Sequence, residues 1–152
     1  MRKLFLTFFY SGLLPKAPGT FGTIAGAIVA LPIIKFAPIS TLILLTFLIT
    51  IIAIKEIDKE ESESGIHDSS YIVIDEVVGV WIAFIISSQS TLQIVLSVIF
   101  FRVFDILKPS IIGRIDRDVK GGVGVMGDDI VAGIFAGLSS SIVYGMVLKF
   151  DI

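Results

Sequence analysis

The chain contains no cysteine and a single histidine, His67. Disulfides, cysteine-ligated zinc and thiol nucleophiles are therefore excluded, as is any mechanism that needs two histidines. Charge is scarce as well. Asp, Glu, Lys and Arg make up 17% of the residues, against about 25% in an ordinary soluble domain. A net charge of −2 leaves no basic footprint for nucleic acid. No cleavable leader is expected either. Arg2 and Lys3 precede a short apolar stretch, but the loop Ser11 to Thr20 follows in place of a small-residue cleavage site. Met1 to Tyr10 is expected to be a retained interfacial segment.

What the chain has is grease. Hydrophobic residues account for 55% and the mean hydropathy is +0.96, which argues for an integral membrane protein. Four apolar stretches follow the N-terminal segment. Phe21 to Ala37 is broken only by Pro32 and Lys35, and has a small face of Gly22, Ala25, Gly26 and Ala30; such faces let helices approach closely in lipid. Ile39 to Ile54 is short for a span, which takes about 20 residues. Val77 to Phe101 is divided by Ser87-Ser88-Gln89-Ser90, and Ile130 to Leu148 is the cleanest single span. Buried strands seldom exceed about eight residues and no polar alternation is present. The expected fold is all-α: one domain over residues 1–152, a multi-helix membrane bundle with short or re-entrant helices.

The polar connections carry the topology. Lys55 to Tyr71 is expected to be a solvated helix end and loop. Arg102 to Gly127 has an excess of basic residues, which should place it in the cytoplasm. With Met1 to Thr20 also inside, all three polar stretches meet on one face, where a shared site would lie. A soluble helical bundle would gather them too.

The acids are concentrated at the edges of apolar runs: Asp75-Glu76, Asp105 and Asp128-Asp129. Carboxylates there are costly to desolvate unless paired or bound to a cation, so five of them suggest a metal-dependent site. Asp75 and Glu76 also suit a helix first turn, where the dipole favours acids. Arg102 and Asp105 stand i, i+3, as an intrahelical ion pair or as part of a site. Lys108 precedes Pro109, near the free carbonyls of a helix end. Gly121 to Gly127 is a glycine-rich approach to a helix N-terminus, but it has neither a P-loop ending nor a dinucleotide fingerprint. After it, Asp128 caps the last span with Asp129 facing water, or the buried pair holds Mg²⁺. Asp116-Arg117-Asp118 fails the aspartyl-nucleophile motif of haloacid-type phosphatases and is expected to be surface charge. His67 is expected to be structural or solvated, with proton transfer as the alternative. Thr20 is expected to N-cap the first span.

These residues resemble bacterial phosphatidylglycerophosphatase A over nearly the whole chain. The resemblance is carried by Pro18-Gly19-Thr20 with Gly22-Thr23, and by Gly65-Ile66-His67-Asp68 leading to Ile72-Val73-Ile74-Asp75-Glu76. It continues in Phe101-Arg102-Val103-Phe104-Asp105 with Lys108-Pro109, and in Gly121 to Gly133. Two positions depart from the family pattern: Ile74 stands where a tryptophan is frequent, and Ser110 where an aromatic is. The resemblance implies a helical fold, Mg²⁺ dependence and hydrolysis of phosphatidylglycerophosphate to phosphatidylglycerol, at the bacterial inner membrane with the site facing the cytoplasm. On this reading Asp75, Glu76, Asp105, Asp128 and Asp129 are the catalytic and metal-binding acids. Arg102, Lys108 and Lys16 bind substrate phosphate, and homo-oligomerisation is left open. The rivals are a non-catalytic cation-binding or ion-translocating membrane protein and a soluble helical hydrolase.

Overall fold

A computed structural model describes residues 1–87 and 90–150. Every regular element among them is helical, in agreement with the all-α expectation. A short helix, α1 (Arg2–Leu6), and a 3₁₀ turn (Ser11–Leu13) lead into α2 (Pro18–Phe36) and α3 (Ile39–Ser64). These are followed by α4 (Ile74–Ile86), α5 (Thr91–Leu107), α6 (Ile111–Asp118) and α7 (Gly121–Phe150). Three of them, α2, α3 and α7, are long and apolar enough to cross a membrane.

Helix α4 is the centre of the bundle. At 13 residues it is about 20 Å long, too short to cross a bilayer core of about 30 Å. It is buried on nearly every side, with Val77, Val78, Val80, Ala83 and Phe84 fully enclosed, and it touches α2, α3, α5 and α7. The stripe Gly22, Gly26 and Ala30 of α2 is buried, and the Trp81 indole N–H donates to the Gly26 carbonyl oxygen at 2.8 Å. The α4–α7 crossing is closer still: a Cβ on Gly133 would overlap the Gly79 carbonyl oxygen. By contrast, α2 and α3 present Ile24, Ile28, Leu44, Phe47 and Leu48 outward, as lipid-facing helices do.

Several boundaries differ from expectation. Helix α3 runs ten residues past Ile54, to Ser64, because its polar end continues as a solvated helix. The glycine-rich segment is not an approach to the last helix but its first turns, since α7 begins at Gly121. Those glycines serve packing: a side chain on Gly122 would overlap the Ile54 carbonyl oxygen, and one on Gly124 that of Val119. Thr20 is no cap. Helix α2 starts at Pro18, with Ala17 at the N-cap and no side chain capping it. Of the polar break Ser87 to Ser90, Ser88 and Gln89 lie outside the described residues.

Candidate active site

Helices α2, α4 and α7 start, and α3 and α5 end, at the same end of the bundle, and most of the charged residues collect there, with Lys35 and Lys149 at the far ends of α2 and α7. Asp75 and Glu76 occupy the first turn of α4, as expected. Asp128 and Asp129 lie two turns into α7, where both are buried; neither caps the helix nor faces water. Asp75, Glu76 and Asp129 converge, each offering an oxygen within 4.8 Å of the others. Asp105, from the last turns of α5, lies beside Asp129 and Glu76.

Two cations enter this cluster from the α5 end. Arg102 pairs with Asp105, so the i, i+3 ion pair forms, and its Nη1 also reaches the Thr23 hydroxyl at 3.5 Å. Lys108 lies between two carboxylates: its ammonium donates to Asp128 Oδ2 at 2.7 Å and also to Asp116. Burial works against the Lys108 charge, but Asp116 and Asp128 outweigh it and raise its pKa above the ordinary lysine value. Lys16 stands apart. It is exposed in the loop before α2, and no ion pair among the described residues joins it to the cluster.

Sequence reasoning missed four contributors. Gly19 lies against Glu76 Oε1 and Arg102 Nη1, and any side chain there would collide with the Glu76 carboxylate. Its place in Pro18-Gly19-Thr20 was the available signal. Thr23, one turn on, donates its hydroxyl to the Gly19 carbonyl at 2.8 Å. Asp116 is not simply surface charge, because it partners Lys108; Arg117 and Asp118 do pair with each other on the surface. Asp68 sits near Lys108 and Asp116, and burial pushes its carboxyl pKa up. Its neighbour His67 contacts Glu61 Oε1 at 2.7 Å, and the same oxygen accepts from the Asp68 backbone N–H at 3.0 Å. His67 thus helps Glu61 fold the loop.

The donor set suits a hard cation. Carboxylates are the oxygen ligands Mg²⁺ takes, and two of them are short of partners. Glu76 Oε2 and Asp129 Oδ1 are buried and, among the described residues, accept no hydrogen bond. A buried anionic oxygen left in that state costs several kcal/mol unless a cation meets it.

Fold and site together define a class: a helical protein with membrane-length apolar helices and an acid cluster, flanked by Arg and Lys, gathered at one end. Comparison with known proteins gives the family. The profile described as phosphatidylglycerophosphatase A matches residues 4–144, and the chain belongs to that family, whose members are phosphatases. It is 37% identical to phosphatidylglycerophosphatase A of Haemophilus influenzae over 129 residues, covering 84% of this chain and 79% of the relative. To the Escherichia coli enzyme of the same name it is 36% identical over 137 residues, covering 90% and 77%. A Bacteroides thetaiotaomicron protein named putative phosphatidylinositol-3-phosphatase is 36% identical over 137 residues, covering 86% and 85%. No solved structure matches.

Proposed function

We propose that this chain is a Mg²⁺-dependent lipid phosphatase that hydrolyses phosphatidylglycerophosphate to phosphatidylglycerol and phosphate, a step of phospholipid biosynthesis. It works at the inner membrane with its polar end toward the cytoplasm. The observation that carries the reading is the convergence of Asp75, Glu76 and Asp129, with unpartnered buried oxygens, next to Arg102 and Lys108. A transported cation needs acids along its path; an anionic substrate needs acids and bases side by side at the end of a bundle. This arrangement is the second.

Asp75, Glu76 and Asp129 would hold the ion, which supplies positive charge against the phosphomonoester and activates water for in-line attack. The chain's own residues do the positioning. Arg102, fixed by Asp105 and Thr23, presents a planar guanidinium to phosphate oxygens. Lys108 adds a point charge from the other side. The acyl chains stay among the apolar helices and only the headgroup enters.

Phosphate release from purified protein, measured over a magnesium titration with a panel of lipid phosphates, tests this. Phosphatidylglycerophosphate should be the preferred substrate and a phosphoinositide should be poor, a contrast worth testing given the Bacteroides relative's name. Asp129→Asn and Asp75→Asn should each lower kcat by about 10²–10³-fold, the scale of losing one preorganised electrostatic group. Normal turnover in both variants would remove these acids from the mechanism.

A further inference from the structure

The charged end of the bundle is two adjoining clusters, joined by the neighbours Asp128 and Asp129. Asp129 belongs with Asp75 and Glu76, and Arg102 approaches this cluster beside Glu76. Asp128 belongs with Asp116, and both are bonded to the Lys108 ammonium; Asp68 lies close by. Many phosphate-processing enzymes bind two metal ions, about 3.5–4 Å apart, in such paired acid clusters. Here the Lys108 ammonium lies between the acids of the second cluster.

Building on the function proposed above, we infer that the site takes one divalent cation, at Asp75, Glu76 and Asp129, and that Lys108, positioned by Asp116, is its built-in second positive charge. Three features support this. The lysine is anchored at its root, because it ends α5 in a left-handed backbone conformation (φ +43°) and precedes Pro109. Its carbonyl oxygen is packed against Gly113, where a Cβ would stand 2.6 Å away. At its tip, an ammonium has three N–H donors, of which Asp116 and Asp128 take two. Among the described residues no third acceptor is bonded to it, which leaves that N–H for a phosphate oxygen. Asp116, on α6, is thus a positioning residue: it turns Lys108 toward α7 and keeps that charge beside the ion. A second divalent ion on Asp128 and Asp116 would have to evict the lysine.

The full chain in detergent, titrated with Mn²⁺ and followed by electron paramagnetic resonance, tests the stoichiometry without any turnover. One tightly held Mn²⁺ per chain is expected, abolished by Asp129→Asn and kept by Asp116→Asn. In phosphate-release assays Asp116→Asn should raise KM about tenfold or more with a smaller change in kcat, in the range of losing a supporting partner of a site residue. Asp116→Glu should recover part of that loss, which a merely structural defect would not. Two Mn²⁺ per wild-type chain, or a wild-type KM in Asp116→Asn, overturns the inference. Two ions combined with an inactive Asp129→Asn would sink this inference alone. No phosphate release from phosphatidylglycerophosphate by the wild-type chain would sink the proposed function with it.

Discussion

At the residue scale the arrangement depends on what one side chain leaves room for. Gly19 exists to let Glu76 and Arg102 come together: the Cβ of an alanine would overlap Glu76 Oε1 and stand 3.3 Å from Arg102 Nη1. Gly19→Ala should therefore lower phosphate release by about 10–100-fold, the cost of disturbing a group that supports a metal ligand, while its thermal unfolding midpoint stays near wild type. Arg102 bonds Asp105 and Thr23 through Nη1 and has further nitrogens in its planar fork to offer phosphate oxygens, which a lysine with its single ammonium nitrogen lacks. Arg102→Lys should raise KM for the lipid substrate, read in the same assay; an unchanged KM would place Arg102 outside phosphate binding. Asp116 and Asp68 illustrate what sequence hides at this scale. Each sits in an ionic stretch that looks solvated, and only the packing of α6 and of the 65–68 loop brings them to Lys108.

At the element scale, α4 and α7 hold the acids in register. Asp129 and Gly133 lie one turn apart on α7, and Gly133 meets the Gly79 carbonyl on α4, one turn from Asp75 and Glu76. Gly133→Ala should destabilise the protein by about 1–3 kcal/mol, the usual cost of overpacking a tight contact, seen as a lower melting temperature in detergent. Activity should fall with it, since separating the helices separates Asp129 from Asp75. The start of α7 is held from outside: the Gly122 backbone N–H donates to Asp58 Oδ1 on α3 at 2.7 Å, and Gly121 takes the left-handed φ of +73° that lets the chain turn there. Asp58→Ala should cost about 0.5–2 kcal/mol, as lost helix caps do. Asp58→Asn, which keeps the acceptor oxygen, should cost less.

At the scale of the whole molecule, one end is charged and the sides are apolar. Arg2 ties α1 to the polar end of α3 through Glu60 at 2.8 Å and through Glu63. The flanks of α2, α3 and α7 expose Ile28, Phe47 and Ile142, among other large apolar side chains. So many large apolar side chains exposed on long apolar helices mark a membrane-facing protein. The chain should remain in the membrane pellet after high-salt and alkaline washes and leave it only with detergent. Release without detergent would favour the soluble hydrolase.

Hydropathy, run length and the lack of alternation determined that the protein is helical and apolar, because these depend only on local periodicity and composition. The same local signals placed Asp75 and Glu76 in a helix first turn. They failed at Gly121 to Gly127, where glycine usually signals a loop; there it answers to the approach of α3, which no local pattern contains. Only the tertiary structure decided which acids share a centre and which are paired with lysine. Asp128 and Asp129 are neighbours in sequence, yet they point about 100° apart on a helix, one toward Lys108 and the other toward Asp75 and Glu76. That division depends on contacts between helices far apart in the chain.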